Sequence, residues 1–232
     1  MTLDQNSRVK RRTNMKQSRS IIFLLLVLLV SGASSAFAQS ATRTPLPAVA
    51  GEGLQEIDLS EWVKKDSKLG NTSFARGDLY MSAKRNGFFY VLVAPEDYTS
   101  RSMITHVTLR NETGGPTNLG YGLVFHSDPE PLKQGYAFLI DTVKKRYRVA
   151  RHASGEEYGV IRWTNSTYIN GGKAANMLEA VDNGSETDLF INHKFVTSIK
   201  NTYAHDTGDP GLYTGGFLKI AFKGLSISKN MN

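Results

Sequence analysis

The sequence predicts an all-β domain, a sandwich or barrel of short antiparallel strands, behind an N-terminal leader. Three observations carry that prediction. Apolar and polar residues alternate with a period of two in segment after segment between residues 79 and 227. Turn-forming residues separate these segments, Asn183-Gly184 being the strongest signal because only residues that tolerate a positive φ fit a tight hairpin turn. No run of useful length after the leader carries helical spacing.

The leader comes first in the chain. Ile21 to Val30, IIFLLLVLLV, is a run of ten apolar residues without a charge. Arg8, Lys10, Arg11, Arg12, Lys16 and Arg19 precede it against one acid, Asp4. Small residues follow and end in Ala36-Phe37-Ala38, a cleavage pattern with the cut before Gln39. A spanning helix needs about 20 apolar residues, so a cleaved signal peptide at 1–38 is expected, with no membrane span left after cleavage. The expected destination is secreted or periplasmic. Met15-Lys16 would open a signal of more ordinary length, which leaves Met1 and Met15 as alternative starts.

The leader also distorts the charge. The chain carries 28 Lys+Arg and 21 Asp+Glu, but after residue 38 only 22 bases and 20 acids remain. The basicity is therefore no nucleic-acid footprint. With no cysteine, a disulfide scaffold, a thiol nucleophile, a Cys-type zinc site and a lipid-anchored N-terminus are excluded.

Residues 39–54, with Pro45 and Pro47, read as a flexible linker, and 55–232 as the domain. Leu79, Met81 and Ala83 alternate with Tyr80, Ser82 and Lys84. Phe88 to Val93 is a buried-strand run closed by Pro95. Met103, Thr105, Val107 and Leu109 share one side of the next strand. Tyr121, Leu123 and Phe125 share another, as do Tyr136, Phe138 and Ile140. Tyr147 and Val149 point inward between Arg146 and Arg148. Strands 177–182 and 187–192 flank Asn183-Gly184, and His193-Lys194 turns into 195–199. Leu218, Ile220 and Phe222 change phase at Gly224 to Leu225 and Ile227, which predicts a bulge.

The succession Gly120–Phe125, Gly135–Ile140 and Arg146–Val149 resembles the centre of concanavalin A-like lectin/glucanase jelly rolls. Bacterial laminin-G-like domains and the related 3-keto-disaccharide hydrolase domains are the nearest in pattern. Trp163, Asn176–Ala180, Gly184, Leu189–Lys194, Gly208–Tyr213 and Phe222–Ile227 extend the match, although Lys223 stands where the family often has Asp. The resemblance covers residues 55–229. It implies a jelly-roll sandwich of two antiparallel sheets with a face that often binds glycans, and it leaves function open, since one fold hosts many activities.

No catalytic constellation accompanies the pattern. The Glu-x-Asp-x-x-Glu strand of the family's glucanases is missing, and Glu96-Asp97 and Glu156-Glu157 are adjacent pairs expected in turns. His106, His126, His152, His193 and His205 show no metal-ligand spacing, although separate strands could bring His106 and His126 together. No Gly-x-Ser-x-Gly elbow occurs. The loop around Asp206 and Asp209 is rich in oxygen ligands and is the candidate for a calcium cofactor, although Asp and Gly before Pro also simply make turns. For glycans, which stack C–H faces on aromatic rings and bond planar polar groups, the candidates are Tyr121, Arg146, Arg148, His152, Trp163 and Tyr168. Structural roles compete: core packing for Tyr121 and Trp163, edge charge for the arginines. The expected function is a non-enzymatic module binding glycans or cell-envelope components. The alternatives are a hydrolase or lyase acting on 3-keto-glycosides, and an assembly domain without a small ligand.

Overall fold

A computed structural model describes residues 54–65, 67–95, 103–182, 185–203 and 207–229. The leader, its Ala36, Ala38 and Gln39 cleavage site, the segment 39–53, the Asn183-Gly184 turn, Glu96-Asp97, His205 and Asp206 lie outside the described residues.

The described residues form fourteen strands: β1 (Leu54–Glu56), β2 (Gly70–Ala75), β3 (Asp78–Ala83), β4 (Phe89–Val93), β5 (Met103–Asn111), β6 (Tyr121–Ser127), β7 (Gln134–Asp141), β8 (Arg146–Ala153), β9 (Glu156–Asn165), β10 (Asn176–Asp182), β11 (Glu186–Ile191), β12 (Lys194–Lys200), β13 (Asp209–Gly215) and β14 (Ile220–Lys229). One 3-10 turn, Leu59–Trp62, is capped by Asp58, whose carboxylate accepts from Ser60 N at 2.8 Å. Among the described residues no helix is long and apolar enough to cross a membrane.

The strands build two antiparallel sheets. The larger runs β12-β11-β10-β5-β14-β3-β2, with β1 also on β14; the smaller runs β4-β13-β6-β7-β8-β9. Inner faces meet in one core, where Val107, Leu109, Leu178 and Phe222 of the larger sheet join Leu123, Phe138, Ile140 and Val149 of the smaller. Burying each such side chain contributes about 1.5–3 kcal/mol. The alternation expected for β5, β7 and β8 is the one that packs this core.

Gly224 confirms the predicted phase change. Its φ is +62°, and the β14–β5 register shifts between Lys223 and Ser226. The extra residue lets Phe222 and Leu225 both face inward, which strict alternation forbids. At the β11–β12 hairpin the turn sits one residue earlier than expected. Asn192 and His193, at φ +51° and +61°, form its centre, and Ile191 pairs with Lys194.

Two strands depart from the sequence expectation in ways that matter for function. Glu156 and Glu157 open β9 instead of forming a turn. Asp209 to Gly215 is a full strand of the smaller sheet, which Pro210 and two glycines disguise.

Candidate functional site

β8 alternates without a break, so Tyr147 and Val149 enter the core while Arg146, Arg148 and His152 project from the outer face of the smaller sheet. β9 beside it does not alternate cleanly. Its register against β8 shifts on both sides of the Val149–Ile161 pair. These irregularities turn Ile161 toward the core yet leave Glu157 opposite His152 and the Trp163 ring against both guanidinium groups, its centroid 4.3 Å from Arg146 Cζ and 5.5 Å from Arg148 Cζ.

The arginines are fixed in place. Arg146 donates from Nε to Asp141 Oδ2 at 3.3 Å and from Nη2 to Thr117 O at 3.0 Å. Arg148 bonds Leu119 O from Nε at 3.1 Å and from Nη2 at 2.6 Å, and its Nη2 lies 2.8 Å from Glu157 Oε1. Their side chains are only 19% and 15% exposed, so they are not the solvated edge charges that the sequence left as an alternative. Gly120 makes room for the platform: a Cβ there would lie 3.1 Å from the Trp163 ring.

Tyr213 of β13 stacks on Phe89 of β4 at 5.0 Å and on His152 at 6.2 Å. Beneath them Val91, Val124, Ala137 and Leu139 form a small apolar floor. Tyr213 and His152 are fully buried, yet among the described residues the Tyr213 hydroxyl, both His152 nitrogens and Glu157 Oε2 make no hydrogen bond of normal geometry, although Glu157 and Arg148 lie close to the Tyr213 hydroxyl. His152 Nε2 and Glu157 Oε2 approach to 3.5 Å, beyond normal bonding distance. Burial and the negative charge of Glu157 push the Tyr213 phenol up and keep it protonated. Burial also opposes ionisation of Glu157, but His152 and Arg148 outweigh it and hold that carboxyl below its usual range. A buried polar atom without a partner costs about 1–3 kcal/mol, so several together call for an explanation.

The arrangement sets an aromatic platform next to a carboxylate and a phenol whose polar atoms are buried. Each guanidinium has its own carboxylate, Asp141 or Glu157, so the charges compensate. Asp141 is fully buried and also accepts from Val143 N and Lys144 N, which leaves it unsuited to form a catalytic carboxylate pair with Glu157.

Of the sequence candidates, Arg146, Arg148, His152 and Trp163 come together here. Tyr121 does not, which corrects its placement among ligand contacts. Its parity with Leu123 and Phe125 turns it into the core, where its hydroxyl pairs with Thr142 Oγ1 at 2.7 Å and accepts from Thr142 N at 3.0 Å. Tyr168 is exposed and stands outside the cluster, in a turn whose carbonyl accepts from Asn192 Nδ2 at 2.7 Å. Asp209 is fully buried on β13 opposite Ser127. Among the described residues no group of three or more His, Asp or Glu could hold a metal ion. His106 and His126 stand in different sheets, the first opposite Glu179, the second 3.1 Å from Asp182. Sequence reasoning missed Glu157, Tyr213 and Phe89. The even spacing of Glu157 from Trp163 was a usable signal for the first.

No family model and no curated protein matches the chain. Solved structures do. The carbohydrate-binding module CBM66 from Bacillus subtilis is 14% identical, with 76% of this chain and 96% of that one covered at a TM-score of 0.50. The exoplasmic/lumenal domain of VIP36 in its Ca2+/Man-bound form is 13% identical, with 71% and 82% covered at 0.53. A Bacillus subtilis protein of unknown function with a galectin-like fold is 10% identical, with 69% and 86% covered at 0.50. The architecture is thus the two-sheet sandwich found among lectins and carbohydrate-binding modules. The chain has the concanavalin A-like jelly-roll fold.

Proposed function

We propose that this chain is an exported, secreted or periplasmic, non-enzymatic module that binds a glycan on the outer face of the smaller sheet. One observation carries the proposal: the unpartnered polar atoms of Tyr213, His152 and Glu157 gather around one carboxylate, whose partner Arg148 lies against the Trp163 ring. Sugar hydroxyls would satisfy those atoms once the side chains that bury them shift on binding, while a C–H face stacks on the indole, the mixture of apolar surface and few polar groups that ligand sites use. The compensated arginines favour a neutral sugar over an anion. That a carbohydrate-binding module and a mannose-bound domain share the fold supports the same reading.

A glycan array probed with the chain from Gln39, with and without chelator, tests it. Binding that survives chelator and disappears in Trp163→Ala is expected. No binding, or binding that Trp163→Ala leaves intact, overturns the proposal. His152, Glu157 and Tyr213 are also proton-transfer groups, and this favours one second reading, turnover of a 3-keto-glycoside. Release of product from an oxidised disaccharide would establish it in place of simple binding.

A further inference from the structure

Loops at one end of the sandwich enclose a separate cavity of about 430 Å³. It lies between the β3–β4 turn, the β5–β6 loop and the β13–β14 turn. Among the described residues no charged side chain lines it. Asn86, Thr117 and Asn118 supply polar groups, and Leu119, Phe217 and Leu218 apolar ones. Phe217 is 63% exposed, far too much for a core role. The Asn118 amide is exposed and has no protein partner among the described residues.

The walls are held by their own hydrogen bonds. Thr117 Oγ1 accepts from Leu119 N and Gly120 N, both at 3.0 Å. Asn86 Oδ1 accepts from Gly87 N at 3.1 Å, and Gly216 N donates to Phe88 O at 2.7 Å. Loops fixed before binding lose little entropy on binding.

The cavity and the Trp163 face share one segment. Thr117 and Leu119 line the cavity, and their carbonyls are the ones that Arg146 and Arg148 grip. The Trp163 ring packs at Gly120, the next residue. On the other side β13 runs close to the same loop: a Cβ on Gly215 would come within 2.4 Å of Leu119 Cβ. A chain of sugars leaving Trp163 would thus cross residues 117–120 into the cavity.

We infer that this cavity is a second subsite, taking the following residues of a neutral oligosaccharide whose first residue lies on Trp163. The inference rests on the proposed glycan site. Uncharged amides and an exposed ring suit hydroxyl edges and C–H faces, and an anion would meet no counter-charge. The protein therefore prefers chains over single sugars.

Calorimetric titration of neutral gluco-, manno-, galacto- and fructo-oligosaccharides, from one to five residues, provides the test. In the series that binds, affinity should rise about tenfold or more from monosaccharide to trisaccharide, the effect of one buried aromatic contact. In Phe217→Ala, whose exposed ring is dispensable for folding, that ratio should fall close to one, and Asn118→Ala should lower it by a smaller factor. A wild-type affinity independent of length, or a length dependence that Phe217→Ala leaves unchanged, overturns the second subsite while the first stands. Absence of binding in every series, or binding indifferent to Trp163→Ala, overturns the glycan site itself and the subsite with it.

Discussion

The two outer faces of the sandwich use the same antiparallel scaffold but satisfy their polar groups differently. On the larger sheet Arg110 donates to Asp78 at 2.7 Å and to Glu112 at 3.0 Å, and Ile104, Val181 and Phe190 form an apolar patch elsewhere on it. On the smaller sheet Arg146 and Arg148 are equally well paired, yet Tyr213, His152 and Glu157 keep polar atoms unpartnered. A face that serves only as surface can complete its hydrogen bonds as it folds. A face that recognises something must leave some incomplete, and it bears the stability cost until the ligand arrives.

The largest expected effect is on binding. Trp163→Ala should weaken glycan affinity by about a hundredfold or more, as loss of an aromatic hot spot does. Arg110→Ala on the opposite face should leave affinity unchanged and lower stability by about 0.5–1 kcal/mol. Calorimetry and urea unfolding separate the two, and an Arg110 variant that loses binding would break the contrast. The next effect is on a single oxygen. Tyr213→Phe should reduce affinity about tenfold while unfolding stability holds or rises by about 1 kcal/mol, since a buried unpaired hydroxyl is removed. A destabilised Tyr213→Phe protein would mean that the hydroxyl is already satisfied.

The legible part of the fold was the part with unbroken alternation. β5 and β8 could be read residue by residue, and because Arg146, Arg148 and His152 share one strand, half of the site was visible with them. The rest depends on non-local order. Tyr213 reaches the site only because β13 lies between β4 and β6, and Pro210 and Gly211 conceal that it is a strand at all. Glu157 and Trp163 share the outer face at even spacing, but Ile161 between them turns into the core because β9 is irregular on both sides of it, and this hides the shared face. Tyr121 shows the converse. An aromatic residue on a strand looks the same in sequence whether its face packs or binds, and its apolar companions Leu123 and Phe125 were the deciding sign.

A smaller effect concerns pH. Glu157 is held below its ordinary carboxyl range, so its charged form contributes stability that is fully present above that range and is lost as pH falls through the folded value. Between about pH 5 and pH 3 the wild type should lose more unfolding stability than Glu157→Gln does. Parallel losses in the two proteins would show that the Arg148 and His152 interactions do not act on the charged carboxylate.

The smallest effect is the mirror image on the opposite face. Glu179, across from His106, has its carboxyl pushed up by burial, with His193 only partly opposing the shift. Here the unfolded carboxyl ionises first as pH rises. Stability is therefore fullest at low pH and declines as pH climbs through the raised folded value. Glu179→Gln should then be slightly more stable than wild type at neutral pH, by up to about 0.5 kcal/mol, and the advantage should vanish in acid. Glu157→Gln should show the opposite sign at neutral pH, because its carboxylate is stabilised and that of Glu179 is not. If Glu179→Gln proved destabilising at neutral pH, its carboxylate would have a favourable partner of its own, and the larger sheet's outer face would no longer be the mere surface to which the site is compared.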